Sequence, residues 1–228
     1  MSINNLKEFA SNFKPSGYVQ WDIYQILKHA FCPYRNIQVK SQDITKDELM
    51  KNLQFDNYIK FEGFISDEKK EKKSNKDETF LIALLNQNDK GYNEISQTTE
   101  KFRLFINNIK SDKVKKIIIV TPSEFSTHVL NYIYDVPNLP NMLSIYNYDR
   151  FKTIIPLGIY VPVHKLLTDV ESQEIINYHK IDITVMKKIS INDPQITWLG
   201  GEIGQYVSIV RLSSIAGYST ELRKITVA

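Results

Sequence analysis

The sequence predicts an α/β N-terminal domain followed by a small α+β C-terminal domain, and three observations carry that prediction. Residues 79–85 (TFLIALL) are a continuous apolar run of strand length, and residues 114–120 (VKKIIIV), rich in β-branched side chains, are the strongest strand signal in the chain. Amphipathic helical stretches follow each of them, the alternation of a sheet covered by helices. The last third changes character: Gly200, Gly201, Gly204 and Gly217 are half of the chain's eight glycines and stand among short β-branched runs. That pattern describes a few strands joined by tight turns.

In chain order, residues up to about Tyr18 are polar and mixed and read as a loose arm or a helix edge. In residues 21–31 (WDIYQILKHAF), Trp21, Ile23, Tyr24, Ile26, Leu27 and Ala30 fall at helical spacing, and Cys32-Pro33 is expected to end that helix. Thr45 and Glu48 form a capping box ahead of Leu49, Met50 and Leu53. Residues 58–65 alternate as a strand, whereas residues 66–78 contain no apolar side chain and read as a solvated loop. The apolar run 79–85 is a buried strand, 98–109 a helix covering it, and 114–120 the strongest strand. Thr121-Pro122-Ser123-Glu124 opens a helix through Val129, Leu130, Ile133 and Tyr134. Residues 136–140 turn the chain and 142–148 add an edge strand. A boundary is expected near 150, with Pro156 and Gly158 marking it, giving domains 1–150 and 151–228. In the second domain a capping box at Thr168 and Glu171 starts a helix with Val170, Ile175, Ile176 and Tyr178 on its apolar face. Strands are expected at 183–189, 206–211 and 222–227, and Asp193-Pro194 opens a helix or turn.

Composition narrows the function classes. The 228 residues carry 29 basic and 26 acidic side chains, a net charge of +3. From Ile155 onward basic and acidic residues balance, so the small excess lies in the N-terminal part. Such a balance does not suit a stand-alone nucleic-acid binder held by phosphate neutralisation. Cys32 is the single cysteine, which excludes an internal disulfide and a multi-cysteine zinc site. No apolar run approaches the roughly twenty residues that span a bilayer, and no membrane partner is expected.

Catalysis finds little support. A nuclease that holds Mg²⁺ on a central strand needs an acidic residue and a Glu-x-Lys pair there, yet residues 79–85 carry no ionisable group. Glu68-Lys69-Lys70 fits the letters but falls in the polar loop. His29, His128, His164 and His179 lack metal-ligand spacing. Gly200 to Gly204 leads into a strand, so it is no phosphate loop. No cofactor, metal or small-molecule substrate is expected. The alternative class is a free-standing nuclease-like or nucleic-acid-binding protein, and a regulator that mimics a subunit is a third.

Val161, Pro162 and His164, then the capped helix at Thr168 and Glu171, Asp193-Pro194, Gly200 and Gly204, Arg211, and Ser213, Ala216 and Gly217 occur in an ordered series over about seventy residues. That series resembles subunit 5 of the eukaryotic nuclear RNA polymerases and its archaeal counterpart. The chain departs from the family pattern at Thr197, Glu202-Ile203 and Ile215, where basic residues or a threonine are usual. The resemblance implies a non-catalytic polymerase subunit, with an N-terminal jaw domain of restriction-endonuclease-like fold near downstream duplex DNA. It also implies a C-terminal assembly domain that docks on the largest polymerase subunit, among other polymerase subunits. The expected interface residues are Pro162, His164, Asp193, Pro194, Gly200, Gly204, Arg211, Ser213, Ala216 and Gly217. The Asn-, Ile- and Lys-rich composition and the divergence lean toward a large DNA virus or a divergent unicellular eukaryote, with the virion and host cytoplasm as the setting in the first case and the nucleus otherwise.

Overall fold

The computed structural model describes residues 3–40, 43–56, 58–65, 78–86, 95–109, 114–137, 139–213 and 215–227. The chain forms two compact units, one of Met1 with Glu8–Thr153 and one of Ser2–Lys7 with Ile154–Ala228.

The first unit is built on a five-stranded mixed sheet in the order β1-β2-β3-β4-β5. Its strands are β1 (Gln38–Val39), β2 (Tyr58–Ile65), β3 (Glu78–Leu85), β4 (Val114–Thr121) and β5 (Leu143–Asn147). β1, β2 and β3 pair antiparallel, whereas β3, β4 and β5 run parallel. The central position of β3 explains its apolar run from Phe80 to Leu85, because a strand covered on both faces has no solvent side to make polar. On one face Leu81, Ala83 and Leu85 join Phe102, Phe105, Ile106 and Ile109 of the helix Thr99–Ile109, with Val129 and Ile133 of the helix Thr127–Asp135. On the other, Ile82 lies opposite Phe61, whose ring meets Tyr24 of the helix Val19–Ile26 edge-on at 5.7 Å. Helices thus cover both faces of the sheet.

Several expectations are corrected here. The residues before Tyr18 form a helix, Ile3–Asn12, with Leu6 fully buried, so one apolar anchor outweighs the polar composition. Cys32-Pro33 does not end the helix that begins at Val19. A π-turn at Leu27–Phe31 leads into Cys32–Tyr34, and the Cys32 amide donates to the Leu27 carbonyl. The widened turn gives the Pro33 ring room where a regular turn would clash. Thr121 belongs to β4, its hydroxyl donating to the Ser123 carbonyl at 2.7 Å, and the next helix starts later, capped by Ser126. The polar stretch 66–77, with Glu68-Lys69-Lys70, lies outside the described residues.

The second unit holds a four-stranded sheet in the order β6-β8-β9-β7. These strands are β6 (Val163–Leu166), β7 (Lys188–Ser190), β8 (Tyr206–Ser213) and β9 (Gly217–Thr226). Ile189, Val207, Ile209 and Ile225 bury one face together with Ile196 of the helix Pro194–Leu199. The helix Asp169–His179 begins at the expected capping box, but its inward residues are Ser172 and Ile176, while Val170 and Tyr178 are exposed. Of the run 183–189 only Lys188 and Ile189 are strand, at the start of β7. The Asp182 carboxylate accepts from the Thr184 amide and hydroxyl and turns the β-branched residues into a loop.

Candidate functional site

The residues expected at an interface are positioned by backbone chemistry. Asp193 caps the helix Pro194–Leu199, its carboxylate accepting from the Gln195 and Ile196 amides at 2.8 and 3.3 Å, while Pro194 occupies the first turn, where a missing amide costs nothing. Gly200 ends that helix at φ 73°, a left-handed position. Gly201 keeps its place for a different reason: a Cβ there would stand 2.6 Å from Ile225 Cδ1 and 3.0 Å from Ile196 Cγ2. The Ser213 hydroxyl accepts from the Ile215 and Ala216 amides and shapes the hairpin between β8 and β9, which Gly217 closes at φ 72°. His164 Nδ1 donates to the Pro162 carbonyl at 2.8 Å, which fixes the ring against the start of β6.

Strand register sorts these residues into two groups. Val163 pairs with Val210 and Ser213 with Gly217, so Pro162, Arg211, Ser213, Ala216 and Gly217 lie at the hairpin end of the sheet. Tyr206 pairs with Lys224 and the Gly204 amide donates to the Ile225 carbonyl, so Gly200 and Gly204 lie at the other end, and the Ile191 amide on the Thr226 carbonyl keeps the Asp193 cap there too. The two ends are separated by the length of β8, roughly 23 Å at ~3.3 Å per residue. His164 sits between them, opposite Ile209. One continuous contact covering all ten is therefore a sheet-long surface rather than a pocket.

The hairpin end carries features that sequence reasoning did not single out. Val163, Leu212, Ile215 and Tyr218 are each between 58% and 98% exposed. Leu212 and Tyr218 are register partners, and Val163 lies on the same face one strand away. Large apolar side chains gathered on solvent mark a contact surface, because scattered exposure is ordinary but clustered exposure is not. Arg211, next to Leu212 in the chain, projects from the opposite face of β8, half-exposed, with its guanidinium 3.9 Å from Glu221. Glu221 is held more closely by Lys187 at 2.6 Å and Arg223 at 2.8 Å, and the Lys187 ammonium in particular keeps its carboxyl below the ordinary range. Of the departures from the family pattern, Thr197 is buried inside its own unit, whereas Ile203 and Ile215 face solvent.

Chemistry of other kinds is thinly represented. Among the described residues no three His, Cys, Asp or Glu side chains come together as a metal would require. Cys32 is buried, and burial pushes its thiol up to about 12, far from a nucleophile's range. His29 is held below its ordinary value by burial and by neighbouring Lys28. No helix among the described residues is long and apolar enough to cross a membrane.

Comparison with known proteins converges on the same region. Residues 156–225 match the family model "RNA polymerase Rpb5, C-terminal domain". A protein of African swine fever virus named "DNA-directed RNA polymerase RPB5 homolog" is 32% identical over 112 residues, covering 48% of this chain and 55% of the relative. The chain thus spans about half the length of the viral relatives it matches. Among archaeal proteins named "DNA-directed RNA polymerase subunit Rpo5", that of Nitrosopumilus maritimus is 34% identical over 64 residues, 28% of this chain and 77% of the relative. That of Thermococcus kodakarensis is 33% identical over 60 residues, 26% of this chain and 73% of the relative. With nearly the whole second unit matched and most of each archaeal relative covered, the chain belongs to the Rpb5/Rpo5 family of RNA polymerase subunits.

Proposed function

We propose that this chain is a non-catalytic subunit of a multisubunit DNA-dependent RNA polymerase, and that its C-terminal domain, residues 151–228, docks on the largest subunit of that enzyme. The observation that carries the reading is the apolar hairpin end of a family-matched unit, where Val163, Leu212, Ile215 and Tyr218 lie open at the same end of the sheet as Arg211. A partner that buries these side chains gains the usual hydrophobic stabilisation, and Arg211 supplies direction at the rim. Residues 1–150 act as a jaw of restriction-endonuclease-like fold beside downstream duplex DNA. A helix-covered mixed sheet supports that fold, and a nearly even charge supports proximity to DNA rather than a grip on it. The likeness to viral proteins favours work in the virion and the host cytoplasm.

The test is Arg211→Glu in the full chain. The variant is expected to fold as wild type, because a half-exposed ion pair 3.9 Å long contributes little. It should nevertheless fail to join the largest subunit in co-expression and purification. Normal incorporation of the variant would remove Arg211 from the interface.

A further inference from the structure

β9 is longer than its neighbours on one side. β8 pairs with it from Gly217 to Lys224, but β7 covers its other side only from Lys224 to Thr226. Among the described residues no strand pairs with that side along Gly217 to Arg223. The direction of the backbone groups follows from bonds at the covered end: the Lys224 amide donates to the Lys187 carbonyl, and the Thr226 carbonyl accepts from the Ile191 amide. Even-numbered residues of β9 therefore point their amides and carbonyls away from β8. The Tyr218 amide turns to the Ala216 carbonyl, which leaves the Tyr218 carbonyl and both groups of Thr220 and Leu222 along the open edge.

We infer that β9 receives an extended segment of another polypeptide as an added strand along Tyr218 to Leu222. This deepens the proposed function, on which it rests, by assigning the segment to the polymerase partner. A row of alternating donors and acceptors at strand spacing is matched by a second backbone, and a row of this kind left open is a pairing template. The side chains state what that backbone carries. Tyr218 and Leu222 share the face that includes exposed Leu212 and Val163, so the segment presents apolar residues at alternate positions. On the alternate face Lys187, Arg211 and Arg223 gather at the carboxylate of Glu221, three cations against one anion, so the residues between are acidic. The same excess disfavours a second copy of this chain, which would set cation against cation.

The experiment compares backbone amide exchange of the wild-type chain alone and in the assembled polymerase, and adds two variants. Thr220 and Leu222 amides should exchange as exposed groups in the free chain and slow by about tenfold or more in the complex, since an added ladder must open first. Thr220→Pro removes one outward amide at an edge where proline is tolerated, and should lower incorporation by about tenfold while Thr220→Ala assembles normally. Unchanged exchange at Thr220 and Leu222, or full incorporation of the proline variant, overturns the added strand and leaves docking intact. Protection of both amides in a dimer of the free chain overturns it in favour of self-pairing. Failure of wild type to join the largest subunit overturns the docking reading itself.

Discussion

Gly201 and Gly204 are three residues apart and need glycine for unrelated reasons. At Gly204, φ is 94° with open space around it, so the demand comes from the backbone. At Gly201 the demand comes from Ile225, Ile196 and Leu166, which crowd the position a methyl would take. Gly201→Ala is accordingly expected to destabilise the chain by about 1–3 kcal/mol through overpacking, as read by urea unfolding. The four glycines are legible in the sequence as special, but which of them faces a packed core is not. Glu171 supplies a pH-dependent case. The Lys165 ammonium, with the Thr168 amide and hydroxyl, pulls its carboxyl from 4.5 down to about 2. Because the folded value lies below the unfolded one, the contribution is present above about 4.5 and is lost as pH falls through about 2. Thermal melts of wild type and Glu171→Gln should differ near neutral pH and converge in acid; a gap that stays constant would refute the ion pair's role. Cys32, buried and with its thiol at about 12, should resist thiol reagents in the native chain and react only on unfolding.

Elements with local signals are legible in the sequence, and those decided by tertiary contact are not. The capping boxes at Thr45 and Thr168 and the Asp193-Pro194 opener act through residues within one turn, so the sequence carries their whole mechanism. Asp193→Ala should lower stability by about 0.5–2 kcal/mol in chemical denaturation, the usual loss when a cap leaves two amides bare. By contrast, Pro33 reads as a helix stop, yet a π-turn carries the helix past it. The strand preference of residues 183–187 yields to the turn made by Asp182. Spacing alone puts Val170 and Tyr178 on a buried face, but the helix Asp169–His179 turns Ser172 and Ile176 inward. A weak apolar stripe cannot orient a helix when a packed neighbour decides the matter.

At the scale of the whole molecule, two units each own a sheet and a core, and the proposed docking surface belongs to register rather than to motif. Of the ordered residues from Pro162 to Gly217, Asp193, Gly200, Gly204, Ser213 and Gly217 make a turn or cap, whereas Arg211 lies within β8. Which of them share an end of the sheet emerges only from the pairing of β6, β8 and β9. The apolar cluster at the hairpin end, and the hub at Glu221 that gathers Lys187, Arg211 and Arg223, join residues far apart in the chain. No window of sequence holds them together. The most direct measurement is the stoichiometry of the tagged full chain purified from the cells or particles that make it. One copy per largest polymerase subunit, retained through gel filtration, is the predicted result. A chain that elutes alone as a monomer, with no polymerase subunit bound, would contradict the account.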